Sequence, residues 1–386
     1  MRILVIGSKI QQMSGLALGL ARLGYDAAFY PKPAEELEGI EKEENALEVF
    51  LKKQKVDFVL SNVFGSTVAR VTNRLNIKYA VWCMDSPAFF SYVPEAALDN
   101  CCLFYFDRHE YELRKQEGLT NVYHLPLAAD TTWSASLVIT DEEIKKYRCD
   151  MSFVGTLYSH NLYDQLLERL PTDMQNIFTD MIENSAFVWD GADRLHVSQE
   201  LAAEVRKLFP DLFDGLYMSD EYYLKTFLMG RKLSHVERTL LMELLSQQYG
   251  IHLYTRAADE VPEGVQRFPE VGAVTEALKV FYSSKINLNI TLRSIASGVP
   301  ARVFDVMGVG GFMISNWQEE IPELFAEDKE IVTFKTPEEL VDKADYYLKH
   351  EDKRARIAIN GYRRVKEQHT YEHRLNKIIS IVQGKA

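Results

Sequence analysis

Residues 285–316 read KINLNITLRSIASGVPARVFDVMGVGGFMISN. The segment KINLNIT (285–291) alternates apolar and polar side chains, which is typical of a β-strand. The segment from Pro300 to about residue 308 has the start and stop signals of a short helix, because proline favours a helix start and GVGG favours its end. FMIS (312–315) then reads as a second strand. Strand, helix and strand in this order predict a βαβ unit in a parallel sheet.

The same alternation extends over most of the chain. In the first part, strand-like runs are RILVIG (2–7), DAAFY (26–30), VDFVLSN (56–62), KYAVWCMD (78–85), LFYFD (103–107) and NVYHLPLA (121–128). A second series has CDMSFVG (149–155), IHLYT (251–255), KINLNIT, FMIS and EIVTF (330–334). The pattern predicts an α/β chain with two doubly wound halves, which bind ligands at the carboxyl ends of their strands.

The predicted domains follow from these two series. Residues 1–148 form a Rossmann-like N-terminal domain, and residues 149–365 form a second one with a helical insertion at about 161–250. The stretch 354–382 reads as helical with an interruption at Gly361. Residues 366–386 are predicted as a C-terminal helix that packs back on the N-terminal domain.

Composition excludes several classes of protein. The chain has 386 residues and a formal net charge of −12, which argues against a broad nucleic-acid surface. Its four cysteines form no C-x-x-C pair, so we expect reduced thiols. The apolar run at the N-terminus is too short for a signal peptide, and no apolar run approaches the ~18 residues of a membrane span. We therefore expect a soluble, cytoplasmic protein.

The helix at 300–308 carries an arginine and an aspartate on one face. Arg302 and Asp305 are three residues apart. A helix N-terminus with an arginine suits a phosphate, and an aspartate one turn inside suits the hydroxyl groups of a ribose. Gly310 and Gly311 would let a ligand approach the backbone. The alternative is an Arg–Asp ion pair on a half-exposed helix, and the composition of the segment favours neither.

Three further segments end at the same predicted edge. The polar residues of KINLNIT, Asn287, Asn289 and Thr291, suit a sugar or base edge, although an ordinary strand with a wet polar face is the alternative. Gly155 and Thr156 follow a strand and could present N–H groups and a hydroxyl to a phosphate. The rim residues Tyr254, Thr255 and Arg256 end another strand, where a nucleobase could stack.

In the N-terminal half, Asp85 follows a strand and precedes Ser86-Pro87. It is either a turn aspartate or a carboxylate that serves the acceptor as ligand or general base. His109 and His124 are weaker acceptor-side candidates. His369 and His373 are four residues apart without a third ligand, so we expect a solvent-exposed helix face rather than a metal site.

Several segments resemble the CgeB-type glycosyltransferase family. They are YSSKINLNIT (282–291), GVPARVFDVMGVGGFMISN (298–316) and HTYEHR (369–374), with AVWCMDSP (80–87), VYHLPLAAD (122–130) and DMSFVGTLYS (150–159) resembling the family's N-terminal half. The resemblance implies a GT-B fold, in which two Rossmann-like domains face a cleft and the second holds a nucleotide-sugar donor. Metal-binding transferases of the other fold class use an Asp-x-Asp pair, which this sequence lacks.

The resemblance also implies residue roles. Asp305 matches the acidic residue that binds the donor ribose, and Arg302 matches an arginine that we assign to the donor diphosphate. Retaining enzymes of this fold often carry a glutamate eight residues before that acidic residue, where this chain has Ser297. The choice between retention and inversion therefore stays open.

The sequence thus predicts a metal-independent glycosyltransferase with no cofactor other than its nucleotide-sugar donor. Arg302 and Asp85 are its predicted catalytic residues, a UDP-sugar is the favoured donor, and a protein or surface glycan is the predicted acceptor. Two alternatives share this architecture: a nucleotide-sugar epimerase, and a binding protein without turnover. An NAD-dependent enzyme ranks lower, because GSKIQQMSG replaces the G-x-G-x-x-G motif after RILVIG.

Overall fold

The computed structural model describes residues 1–7, 10–30, 40–191 and 195–385. The strands are β1 (Arg2–Ile6), β2 (Asp26–Phe29), β3 (Phe58–Ser61), β4 (Lys78–Cys83), β5 (Cys101–Tyr105), β6 (Val122–His124), β7 (Met151–Val154), β8 (Ile251–Thr255), β9 (Gln266–Pro269), β10 (Ile286–Asn289), β11 (Met313–Asn316) and β12 (Val332–Phe334).

The α-helices are α1 (Ile10–Arg22), α2 (Ile40–Gln54), α3 (Ser66–Arg74), α4 (Arg108–Gln116), α5 (Thr131–Ser136), α6 (Asp141–Tyr147), α7 (Leu162–Leu167), α8 (Thr172–Ser185), α9 (Gln199–Leu208), α10 (Asp220–Tyr223), α11 (Gly230–Ser246), α12 (Glu276–Ser283), α13 (Ala301–Gly308), α14 (Ile321–Leu324), α15 (Pro337–Lys349), α16 (Glu351–Gln368) and α17 (Tyr371–Val382).

The chain divides into two compact units. Unit 1 contains residues 1–132 and the C-terminal residues from Gln368 onward, and unit 2 contains residues 133–367. The sheet of unit 1 has the order β2-β1-β3-β4-β5-β6, and all its pairs are parallel. Helix α17 belongs to this unit, where Leu375 lies against Gly19 of α1.

The sheet of unit 2 has the order β12-β11-β10-β7-β8-β9 and is also entirely parallel. All four residues of β10 are buried, as expected for a central parallel strand covered on both faces. Every strand predicted from the sequence is present. The edge strand β9 was missed, because it is short, mostly exposed and ends in Pro269, so it lacks the apolar run of a buried strand.

The chain between β7 and β8 is helical, from α7 to α11, and has a core of its own. Its buried side chains include Phe178, Val205, Leu228 and Leu233. A π-helical segment, Leu224–Met229, leads directly into α11. Helix α11 also contributes Leu241 and Leu245 to the core beneath the sheet of unit 2. The helix therefore links the inserted core to the sheet.

The C-terminal helices differ from the prediction at one point. Gly361 lies inside α16 and does not interrupt it, and the break falls at His369 and Thr370 instead. A Cβ on Gly361 would lie 2.6 Å from the carbonyl oxygen of Glu330, so the glycine permits close packing of the helix. Within the four described ranges, no helix has the length and apolar character needed to cross a membrane.

Candidate functional site

The carboxyl ends of β7, β8, β10 and β11 meet at one edge of the sheet of unit 2, because these strands are parallel. We call this the carboxyl edge. Helix α13 begins there, since the loop after β10 leads directly to Ala301. Pro300 is the N-cap residue, and it offers no side-chain hydrogen bond to the first turn of the helix. The first N–H groups of α13 thus face the edge at which such folds bind ligands.

Arg302 lies in this first turn and is half-buried. Its guanidinium carbon lies 5.1 Å from the centroid of the Phe153 ring, and Nη1 donates a long hydrogen bond of 3.4 Å to Oδ1 of Asn289. Desolvation, followed by the nearby charge of Arg238, lowers the pKa of Arg302 to about 10. The group therefore stays protonated at neutral pH, in surroundings that strengthen its attraction for an anion.

Arg238 of α11 is a second arginine at this site, and the sequence analysis did not identify it. Its guanidinium carbon lies 5.3 Å from the centroid of the Phe153 ring. It donates to the carbonyl oxygen of Ile290 at 2.7 Å and 3.1 Å and to that of Thr156 at 2.6 Å. These carbonyl groups hold a buried cation in place without neutralising it. Desolvation lowers its pKa.

Asp305 lies one turn further along α13 and is half-buried. Its charge acts on Arg302, whose pKa it raises against the larger effect of desolvation. Yet Arg302 forms no ion pair within 4 Å with any carboxylate of the described residues. The structure therefore does not contain the alternative arrangement, an ion pair between Arg302 and Asp305.

The polar residues of β10 form an internal network. Asn287, which is 1% exposed, accepts from Ser152 Oγ and donates to the carbonyl groups of Phe281 and Phe312, all within 3.0 Å. A direct donor contact would require Asn287 to give up one of these bonds. The polar side chains of this strand are buried. The alternative of an ordinary strand with a solvent-exposed polar face is therefore wrong.

The other two polar residues of this stretch lie closer to Arg302. Asn289 donates to the hydroxyls of Thr291 and Ser315, each at 2.9 Å. The backbone N–H of Thr291 donates to Asn316 Oδ1 at 2.7 Å. Both Asn289 and Thr291 are buried, and the Asn289 amide touches Arg302. Both residues therefore help to position Arg302 and are buried behind it rather than exposed at the carboxyl edge.

Gly155 and Thr156 follow β7 at the same edge. The N–H of Gly155 donates to the carbonyl oxygen of Tyr254 at 2.9 Å, so it is not directed at a ligand. The role of Gly155 is steric, because a Cβ there would lie 2.7 Å from an Nη atom of Arg302. Thr156 is half-buried, and its carbonyl oxygen accepts from Arg238.

The rim residues at the end of β8 do not join the cluster. Tyr254 is 2% exposed and stacks on Phe268 with ring centroids 4.9 Å apart, so it has no face for a base. Arg256 is exposed, and its carbonyl oxygen accepts from Arg267.

Gly310 and Gly311 follow the C-terminus of α13, roughly 12 Å of helix away from Arg302. A Cβ on Gly311 would lie 2.7 Å from the carbonyl oxygen of Phe281, so this glycine permits packing before β11. Gly310 has φ +80°, which suits the turn after the helix. The structure does not bring these glycines to the carboxyl edge.

Ser297 lies in the loop between β10 and α13 and is buried. Its hydroxyl donates to Oε1 of Glu320 at 2.8 Å, and the N–H of Glu320 donates to the carbonyl oxygen of Ser297 at 3.2 Å. A buried carboxylate from the segment after β11 thus stands beside position 297. No sequence pattern indicated this contact, because it joins residues 23 positions apart.

In unit 1, Asp85 is exposed at the carboxyl end of β4. The segment that follows it is held from beneath: Ser86 Oγ donates to Asp107 at 3.0 Å, and the N–H of Ala88 donates to Glu110 at 2.7 Å. Desolvation raises the pKa of the buried Glu110 to about 8. These two hydrogen bonds anchor the backbone that follows Asp85.

The four candidate histidines have ordinary structural partners. His124 contacts the carbonyl group of Phe106, and the N–H of His109 donates to Asp107 at the start of α4. His369 is buried against Arg374 at 2.7 Å, so the expected exposed face holds only for His373. In the part of the chain that the structure describes, no three His, Cys, Asp or Glu residues could hold a metal ion.

Comparison with known proteins agrees with this architecture. Residues 235–380, which include Arg238, Arg302 and Asp305, match the family model described as glycosyl transferase-like. No curated protein is significantly similar to the sequence.

Three solved structures illustrate the fold. A glycosyltransferase from Rickettsia africae has 11% identity and a TM-score of 0.50, with 100% of this chain and 98% of that chain covered. Sucrose-phosphate synthase from Thermosynechococcus elongatus has 10% identity and a TM-score of 0.51, with 100% and 99% covered. HepE from Anabaena, in complex with UDP-glucose, has 11% identity and a TM-score of 0.51, with both chains covered completely. The fold is therefore GT-B, and with the matched segment the protein is a glycosyltransferase enzyme.

Proposed function

We propose that this enzyme transfers a sugar from a nucleoside-diphosphate sugar to a hydroxyl group of a protein or surface glycan, without a metal ion. One observation carries the proposal: two guanidinium groups, of Arg238 and Arg302, lie about 5 Å from one aromatic ring at the carboxyl edge. Two cations held this close, with no carboxylate of the described residues within 4 Å of Arg302, favour the binding of an anion with more than one charge. A diphosphate has that charge, and its geometry suits the donors of a guanidinium group.

Arg302 would stabilise the negative charge that develops on the leaving diphosphate. In a site from which water is excluded, such fixed donors account for much of the rate enhancement in enzymes. The N-terminal N–H groups of α13 would add a second contact with the same group. Together they supply the positive charge that a metal ion provides elsewhere, which is why we propose a metal-independent reaction.

Asp305 would accept hydrogen bonds from the ribose hydroxyls of the donor. It lies one turn beyond Arg302, so a nucleotide whose diphosphate rests on the helix N-terminus would bring its ribose toward this carboxylate. UDP is the favoured nucleotide, with support from the UDP-glucose complex of the Anabaena protein of the same fold. Asn289 and Thr291 would act by holding Arg302, and Thr156 would offer its hydroxyl to the donor.

Asp85 is proposed as the acceptor-side carboxylate, which would bind or deprotonate the attacking hydroxyl group. Its exposure leaves it accessible, and the hydrogen bonds of Ser86 and Ala88 fix the segment beside it. The motif-level resemblance to the CgeB-type family supports a protein or surface-glycan acceptor, and we also propose a cytoplasmic location. Both stay part of the proposal.

The first test is nucleotide binding by calorimetry, with UDP, GDP, CDP and ADP, for the wild type and for Arg302→Ala and Asp305→Ala. A hydrogen bond to a charged group contributes ~1.5–3 kcal/mol, so each variant should bind roughly 10- to 100-fold more weakly. Binding of no nucleoside diphosphate, or unchanged binding by both variants, would refute the proposal.

A second test separates transfer from the alternatives. The enzyme is incubated with the UDP-sugar whose nucleotide binds, without any acceptor, and the products are identified. Slow release of UDP and free sugar, reduced in Asp305→Ala, would indicate a transferase that uses water as a poor acceptor. An isomeric UDP-sugar would indicate an epimerase, and an unchanged donor would indicate a binding protein.

A further inference from the structure

Tyr158 occupies an unusual backbone position in the loop after β7. Its φ is +58°, in the left-handed region where a bulky side chain is strained. The loop is fixed by Asn161, whose Nδ2 donates to the carbonyl oxygen of Tyr158 at 3.2 Å and whose Oδ1 caps α7. A glycine would fit this conformation at lower cost. The presence of tyrosine here therefore calls for a reason beyond folding.

The side chain of Tyr158 contacts Arg238, one of the two arginines of the donor site. The guanidinium carbon of Arg238 lies 5.2 Å from the centroid of the Tyr158 ring. The phenol group also acts on both guanidinium groups, because it opposes the desolvation that lowers the pKa of Arg238 and of Arg302. The residue is half-buried, so part of its surface is accessible to solvent.

The chemistry of these three groups leaves one hydrogen-bond donor without a fitting acceptor. A phenol oxygen can accept a hydrogen bond from a guanidinium group, but a guanidinium group accepts none. Neither arginine can accept from the O–H of Tyr158, which is half-buried, so this donor is available to water or to a ligand. An anionic oxygen held between Arg238 and Arg302 would accept it.

We propose that the hydroxyl of Tyr158 donates a hydrogen bond to the diphosphate of the donor nucleotide, as a third binding group beside Arg238 and Arg302. The inference rests on the proposed function, since the anion is the donor's diphosphate. This contact differs from the base stacking that the sequence predicted at Tyr254, which is buried. It also gives a reason for the strained position, because the backbone conformation delivers the hydroxyl to the anion.

The test uses Tyr158→Phe, which removes the hydroxyl and keeps the ring on Arg238. UDP binding is measured by calorimetry and the Tm by thermal unfolding, for the wild type, Tyr158→Phe, Arg302→Ala and the control Tyr282→Phe. Tyr282 is an exposed tyrosine of α12 in the same unit. We expect Tyr158→Phe to bind UDP at least tenfold more weakly with an unchanged Tm, and the control to match the wild type.

A second variant, Tyr158→Asn, examines the strained backbone. Asparagine tolerates the left-handed region better than tyrosine. It should keep a Tm within a few degrees of the wild type and lose UDP affinity at least as far as Tyr158→Phe does. A fall of Tm by more than ~5 °C with unchanged UDP affinity would show that the tyrosine is there for folding.

The outcomes distinguish the two proposals. If the wild type binds UDP, Arg302→Ala loses it and Tyr158→Phe binds like the wild type, then the inference about Tyr158 is overturned and the donor site stands. If the wild type binds none of the four nucleoside diphosphates, both are overturned. A loss in Tyr158→Phe that Tyr282→Phe shares equally would also count against a specific role for Tyr158.

Discussion

Gly155 lies directly against Arg302: a Cβ on the glycine would be 2.7 Å from an Nη atom of the arginine and 3.3 Å from the ring of Phe153. The backbone at Gly155, with φ +154°, also favours glycine. The absence of a side chain at position 155 is therefore what allows the guanidinium group of Arg302 to rest on Phe153. This relationship joins the loop after β7 to the first turn of α13.

Gly155→Ala should weaken UDP binding about tenfold, because the new methyl group displaces Arg302 from its place. The measurement is calorimetry with UDP. Gly118→Ala is the matched control, since Gly118 has φ +94° but nothing within 4 Å of a Cβ, so it introduces backbone strain without the collision. Equal UDP affinity in Gly155→Ala and the wild type would show that the position of Arg302 does not depend on this glycine.

Glu237→Gln should lower the free energy of unfolding by about 3 kcal/mol or more. The Glu237 carboxylate is 0% exposed and accepts from Nε and Nη2 of Arg293, so the substitution leaves the charge of Arg293 without its partner. Denaturant unfolding measures the change. Lys349→Gln, which breaks the exposed pair with Asp345, should have little effect. A similar small effect for Glu237→Gln would mean that water reaches Arg293.

Glu110 should make the stability of the protein fall as the pH rises. Its pKa is raised from 4.5 to about 8 in the folded state, so between these values the unfolded state releases a proton that the folded state keeps. The stabilisation is complete below about pH 4.5 and is lost as the pH rises toward 8, by on the order of 4 kcal/mol. Glu110→Gln lacks this dependence and keeps the acceptor for the N–H of Ala88.

The measurement for Glu110 is the free energy of unfolding from pH 5 to 8.5 for both proteins. The difference between the variant and the wild type isolates the contribution of Glu110, because other titrating groups cancel. We expect the variant to gain stability relative to the wild type as the pH rises. A constant difference over this range would mean that Glu110 is already ionised in the folded protein.

Much of the fold could be predicted from the sequence, because buried strands and amphipathic helices repeat with distinct periods. The short exposed strand β9 carries no such signal. The site was harder. Arg302 and Asp305 could be found together because they share one helical turn, whereas Arg238 is distant in sequence from both and reaches Phe153 only through tertiary packing. The hydrogen bonds of the Asn287 amide could not be predicted either, because their partners lie in three other segments of the chain.

The two glycines after α13 were predicted to serve the donor, and their position in the fold suggests packing instead. A crossover helix that starts at the carboxyl edge must end at the opposite edge, so Gly310 and Gly311 lie away from Arg302. Gly311→Ala should therefore lower stability, by about 1–3 kcal/mol, because its Cβ would lie 2.7 Å from the carbonyl oxygen of Phe281. UDP affinity should stay within about threefold of the wild type, since the carboxyl edge is untouched.

Gly310→Ala is the matched variant, because Gly310 has φ +80° and nothing within 4 Å of a Cβ. It should destabilise through backbone strain alone, by about 1–2 kcal/mol, and leave UDP affinity unchanged. Thermal unfolding and calorimetry on both variants decide between the two roles. A tenfold loss of UDP affinity in Gly310→Ala with little change in Tm would show that these glycines contribute to donor binding. The donor site would then have to include the C-terminus of α13 as well as its N-terminus.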